Sequence, residues 1–117
     1  MSLHAPKAFI RCATGLRAVE VAEQWNSHVA KVGGKVFAML GQGSGTIVFK
    51  VSETSFEGLT ALDGIGQAPY FAKRAWVSVA RGAPLSDADL KAYIAASHAM
   101  VAGRLTRKVR AELGLDA

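Results

Sequence analysis

Ser97 and His98 are the residues of this sequence that most nearly suggest hydrolytic chemistry, a hydroxyl nucleophile beside a base. They fall in a helical pattern, where sequence neighbours point about 100° apart, so the two side chains cannot readily share a hydrogen bond. We read Ser97 instead as a small hydroxyl that bonds its own helix backbone at Tyr93 and permits close packing. The three histidines, His4, His28 and His98, stand far apart, and the single cysteine adds no second soft ligand. No metal site and no cofactor is therefore expected. Cys12 lies in an apolar stretch and reads as a buried small hydrophobe in a reducing compartment. Glu20 and Glu23 are an odd step apart on a predicted strand and point to opposite faces, which is no acid/base pair. Gly41-Gln42-Gly43-Ser44-Gly45 leads into a strand, whereas a phosphate loop must lead into a helix whose first amides hold the anion. With no nucleophile, base and stabiliser to assemble, the chain reads as a binding protein and not an enzyme.

What remains is charge. The formal net charge is +5, and it is uneven: residues 1–50 carry six Lys or Arg against two Glu, while residues 51–103 are slightly acidic. Such a balance favours polyanions, and it also serves solubility. Lys31 and Lys35 flank Gly33-Gly34 and would sit at one hairpin tip. Lys73 and Arg74 precede Trp76 and would form a second tip, where cations can meet phosphates while a ring stacks nearby. A C-terminal helix over residues 104–113 would expose Arg104, Arg107, Lys108 and Arg110 beside Leu105, Val109 and Leu113. Each set is equally readable as ordinary solvated charge.

The elements that must position these groups follow from periodicity and punctuation. A helix is predicted over residues 5–13 with Pro6 in its first turn, stopped by Thr14-Gly15. Val19 to Glu23 alternates as a half-buried strand; His28 to Val32 and Lys35 to Leu40 follow as a hairpin through Gly33-Gly34, and Thr46 to Val51 adds another strand. Ser52 caps a short helix ending near Asp63-Gly64. The stretch 65–71, which contains Pro69, reads as an extended edge or loop facing the strand 75–80. Ser86, followed by Asp87 and Asp89, opens the longest helix, with Leu90, Tyr93, Ile94, Met100, Val101 and Leu105 on one side. At 117 residues, half of them hydrophobic, the whole chain 1–117 reads as one α+β domain with an antiparallel sheet of about five or six strands. Met1-Ser2-Leu3 reads as a cloning addition that contributes nothing to the fold. No apolar run approaches the roughly 20 residues that span a bilayer, and no secretory signal opens the chain, so a soluble cytoplasmic protein is expected.

Taken in order, Gln24-Trp25-Asn26, Val32-Gly33-Gly34-Lys35-Val36-Phe37-Ala38-Met39-Leu40, Ala68-Pro69-Tyr70-Phe71, Lys73-Arg74-Ala75-Trp76-Val77 and the segment from Leu90 to Leu105 around Ser97-His98 resemble the MmcQ/YjbR family of small bacterial domains. The resemblance covers nearly the whole chain. It implies an antiparallel sheet packed by helices in a double-wing, frataxin-like arrangement, and a DNA-binding label that rests on structural likeness. It makes the hairpins wings and Lys31, Lys35, Lys73 and Arg74 candidate phosphate contacts, with Arg104, Arg107 and Lys108 of the last helix beside them. The expected partner is DNA, bound weakly or non-specifically on one continuous cationic surface. The alternative is a protein-interaction adaptor with an exposed apolar patch near Tyr70-Phe71. A frataxin-like metal chaperone ranks lower, because the N-terminal half offers only Glu20 and Glu23 as carboxylates.

Overall fold

A computed structural model describes residues 2–115; Met1 and residues 116–117 lie outside the described residues. The chain runs α1 (Pro6–Thr14), β1 (Val19–Gln24), β2 (Ser27–Val32), β3 (Lys35–Gly41), β4 (Ile47–Lys50), α2 (Glu53–Thr60), β5 (Ile65–Gln67), β6 (Trp76–Val79), α3 (Asp87–Ala102) and α4 (Arg107–Glu112). The fold is α+β. Its six strands form one antiparallel sheet in the order β1-β2-β3-β4-β6-β5. The one departure from a simple meander comes from α2, which carries the chain past β4 and returns it at the sheet edge. β6 then pairs with β4, and β5 is left outermost. Pro69, which has no N–H to donate, follows β5 closely, and β5 is three residues long.

Local signals set most element ends. Ser52 Oγ accepts from Ser55 N at 3.1 Å to open α2, and Ser86 forms a capping box with Asp89 to open α3. The C-terminal helix differs from expectation. α3 stops at Gly103, and Thr106 Oγ1 accepts from Val109 N at 3.2 Å, which restarts the chain as α4 at Arg107. A threonine cap was available three residues before Val109, and it outweighs helix continuation. Arg104 therefore lies in a turn between helices and not on a helix face.

Alternation along the strands gives the sheet two unlike faces. Phe37, Phe49, Val77, Val79, Ala30 and Val32 pack with Phe9, Leu59, Leu90 and Ile94 of α1, α2 and α3 in the main core. The opposite face holds a smaller apolar cluster of Val48, Ala68 and Trp76 with Val36, Met39, Phe71 and Ala75, and among the described residues no helix contributes to it. The N-terminus corrects one expectation. Leu3 is 2 % exposed and belongs to the main core, its N–H donates to Asp87 Oδ1 at 3.2 Å, and buried His4 donates from Nδ1 to Gly45 O at 2.7 Å. The sequence around Leu3 lacks periodicity, so its burial is visible only once α1 and α3 are placed.

β3 is irregular, with a bulge in its pairing to β2 and a short ladder to β4. Ala30 pairs with Ala38 and Lys31 with Val36, so Phe37 is an extra, bulged residue, and both Phe37 and Ala38 reach the helix-covered core. β3 and β4 pair only from Ala38↔Phe49 to Leu40↔Ile47. Where the ladder opens, fully buried Ser97 takes its place: Ser97 Oγ donates to Phe37 O at 2.6 Å and accepts from Lys50 N at 2.9 Å. The expected bond to Tyr93 is not made. A buried strand donor and acceptor without partners cost more than a redundant bond inside a helix gains. Replacing Ser97 by Ala strands both groups, so its urea midpoint is expected to fall by an amount equivalent to about 1–3 kcal/mol, against a near-neutral exposed control such as Ala96→Ser.

Candidate functional site

Gly33 and Gly34, at φ +57° and +79°, form the two-residue β2–β3 turn. Such a turn needs left-handed backbone, which glycine adopts freely. Gly33 has a second constraint: an added Cβ would stand 2.6 Å from Leu105 Cδ1. That close approach docks the α3–α4 turn against the hairpin and carries Arg104 to the sheet. Lys35, Val36, Lys50, Trp76, Val101, Arg104 and Leu105 consequently line one groove of about 240 Å³.

Three cations meet in this groove, and among the described residues Lys35, Lys50 and Arg104 have no ion-pair partner. Burial, and then the charge of Arg104, hold the Lys50 ammonium below its ordinary value of 10.5. Lys50 was not among the residues singled out from the sequence. Its signal was its place at the end of the alternating strand Ile47–Lys50, which pairs it with Trp76 and turns it to the face without helices. Lys31 is half-buried on the same face, cross-strand from Val36 on one side and from Glu20 on the other.

The other candidates lie elsewhere. Arg74 Nε donates to Glu53 Oε1 at 2.8 Å and its Nη2 to Glu57 Oε1 at 2.5 Å, and the guanidinium stands 5.7 Å from the Phe56 ring centroid. Those two hydrogen bonds to α2 raise its pKa further. Arg74 is thus already committed to carboxylates 21 and 17 residues away, and its charge is not open to a phosphate as the sequence led us to expect. Lys73 is exposed in the same β5–β6 loop, and Arg107 and Lys108 are exposed on the first turn of α4. None of these three lines the groove. Of the seven candidate phosphate contacts, Lys35 and Arg104 converge on one groove, and Lys31 stands cross-strand from Val36 in its lining.

Beside the cations lies a larger groove of about 680 Å³, mostly apolar, with Met39 and Val48 of the central strands in its lining. Trp25 enters from the β1–β2 turn, and Pro69, Tyr70 and Phe71 from the β5–β6 loop. Trp25 is 67 % exposed and Tyr70 is fully exposed, yet both sit in left-handed backbone, at φ +52° and +68°. A residue other than glycine costs roughly 1–2 kcal/mol there. Tyr70 occupies the third position of an Ala68-Pro69-Tyr70-Phe71 turn closed by Phe71 N to Ala68 O at 3.5 Å, a position that normally calls for glycine or asparagine. The Phe71 and Trp76 rings lie 4.4 Å apart and link the two grooves through the apolar cluster of the open face.

The remaining polar residues have structural partners. His98 donates from Nε2 to Arg17 O at 2.9 Å and meets the Phe37 ring at right angles, whereas Ser97 Oγ is bonded to Phe37 O and Lys50 N. Burial pushes the Cys12 thiol up, and nearby Lys91 only partly offsets it, the reverse of an activated thiolate. Among the described residues no group of three His, Cys, Asp or Glu could hold a metal ion, and no helix is long and apolar enough to cross a membrane.

A family model described as YjbR matches residues 14–100. The fold is similar to the crystal structure of a Deinococcus radiodurans protein with a DUF419 domain, at a TM-score of 0.83 and 19 % identity over 92 % of this chain and 86 % of that one. It is also similar to a Pseudomonas syringae protein solved by structural genomics, at a TM-score of 0.66 and 21 % identity over 80 % of this chain and 95 % of that one. No curated protein matches the sequence.

The depressed Lys50 pKa fixes a sign. Between that value and 10.5 the unfolded chain binds more protons than the native one, so Lys50 makes native stability rise with pH across this window. At neutral pH the crowded charge opposes folding. Lys50→Met is therefore expected to melt slightly higher than the parent near pH 7, with the difference closing as pH approaches about 10.5, as thermal melts across that range would record.

Proposed function

The chain belongs to the YjbR family, and from that premise we propose that it is a small cytoplasmic protein that binds nucleic acid through backbone phosphates, weakly and without reading base sequence. The supporting observation is the convergence of Lys35, Lys50 and Arg104 on one groove with no carboxylate beside them. Lys50 is half-buried beside the charge of exposed Arg104, which opposes folding, and an anion bound there relieves both the repulsion and the lost hydration of Lys50. Phosphate oxygens match the geometry because Arg offers a planar fork and the lysines offer mobile point charges.

In this reading the β2–β3 hairpin, with Lys31 and Lys35, is one wing of a double-wing arrangement. The β5–β6 hairpin contributes its loop to the open face, since Arg74 is already neutralised. Lys73, Arg107 and Lys108 lie outside the groove, where exposed cations speed association more than they add affinity. A protein-interaction adaptor is the second reading, and the mostly apolar groove around Tyr70 and Phe71 is what favours it.

Fluorescence anisotropy with labelled DNA separates the two. With three phosphates neutralised, log affinity is expected to fall with log salt at a slope of about −3 on duplex. Lys50→Gln with Arg104→Gln should reduce that slope by about 2, whereas Arg74→Gln should leave it unchanged. Absent binding at low salt, or an Arg74 variant as defective as the groove variant, would contradict the assignment.

A further inference from the structure

We propose that the apolar groove holds unstacked bases of a single strand, with Trp25 and Tyr70 stacking on them while Lys50 and Arg104 take the adjoining phosphates; this rests on the nucleic-acid reading above. Two aromatic side chains that stay in water gain little from burial, and each is nevertheless held in a backbone conformation suited to glycine. Both line the same groove, although one comes from the turn beside edge strand β1 and the other from the loop after edge strand β5. The turns fix both rings in place, Trp25 with Asn26 in the two-residue β1–β2 turn and Tyr70 in the Ala68–Phe71 turn, so two exposed aromatic faces are presented at the margin of one concave surface.

Charge and shape select the occupant. The groove continues through Phe71 and Trp76 to the cationic groove, so the ligand that fits carries flat apolar faces and anions together. Bases with their phosphates have that composition, and every base offers a π-face irrespective of sequence. In a duplex those faces are covered by neighbouring pairs, which leaves Trp25 and Tyr70 nothing to stack on. The preference for single strands over duplex follows from that difference.

The test uses the full chain with a labelled oligothymidylate of about 12 nucleotides and a duplex of equal length. The single strand should bind more tightly at the same salt and quench Trp25 emission. Tyr70→Gly and Trp25→Gly should each weaken single-strand binding by about 5- to 100-fold and leave duplex binding as it was. Neither variant should melt lower, because glycine adopts positive φ freely and neither side chain is buried. Equal affinity for both probes, with both glycine variants unaffected, would overturn the stacking role and leave the phosphate reading standing. No binding of either probe would remove the phosphate reading and this proposal with it. An acidic amphipathic peptide that quenches Trp25 and is not displaced by oligothymidylate would assign the groove to a protein and overturn the proposal.

Discussion

A single hydroxyl holds the centre of this molecule together. β3 bulges at Phe37 so that two consecutive residues can reach the core, and the ladder to β4 cannot continue past that point. Ser97 Oγ, presented by α3, accepts from one strand and donates to the other, so the gap is closed without a buried unpaired group. The same bridge fixes the register of α3 across the sheet and the end of β4. From that end Lys50 turns to the open face, and from the far end of α3 the chain turns at Arg104. The cationic groove exists because these two positions are tied to one helix.

The open face is asymmetric in the way a binding surface needs. Helices cover one side of the sheet; the other carries the apolar groove with its aromatic rings, and the cationic groove adjoins it where Val101 of α3 and the α3–α4 turn meet Lys50 and Trp76. Two features there lower stability: half-buried Lys50 beside the charge of Arg104, and two aromatic residues in left-handed backbone. Ala18 and Arg74 also take left-handed backbone away from the grooves, while caps at Ser52, Ser86 and Thr106 and glycine at the β2–β3 turn follow local rules.

Particular residues show where the sequence was readable. The alternation of Val19 to Glu23, the Gly33-Gly34 turn and the Ser86 cap placed strands and helices within a residue or so, because these signals are local. The bulge at Phe37 was not readable, since a continuous apolar run conceals which residue is extra. Nor was the role of Ser97, which depends on strand groups 60 and 47 residues away. Lys73-Arg74 looked like a paired cationic tip, but Glu53 and Glu57 reach Arg74 only after α2 packs beside the loop. Lys50 was overlooked because isolated lysines draw no attention until alternation and pairing are combined.

The central claim is spatial: anions should meet this protein on the sheet face bearing Lys35, Lys50 and Arg104. Backbone amide shifts recorded by NMR during titration with an oligonucleotide address it directly. The account predicts that the largest changes fall on β3, the end of β4 and the α3–α4 turn, and weaken as salt rises. Changes confined to α2 and Arg74, or to the helix-covered side of the sheet, would contradict it.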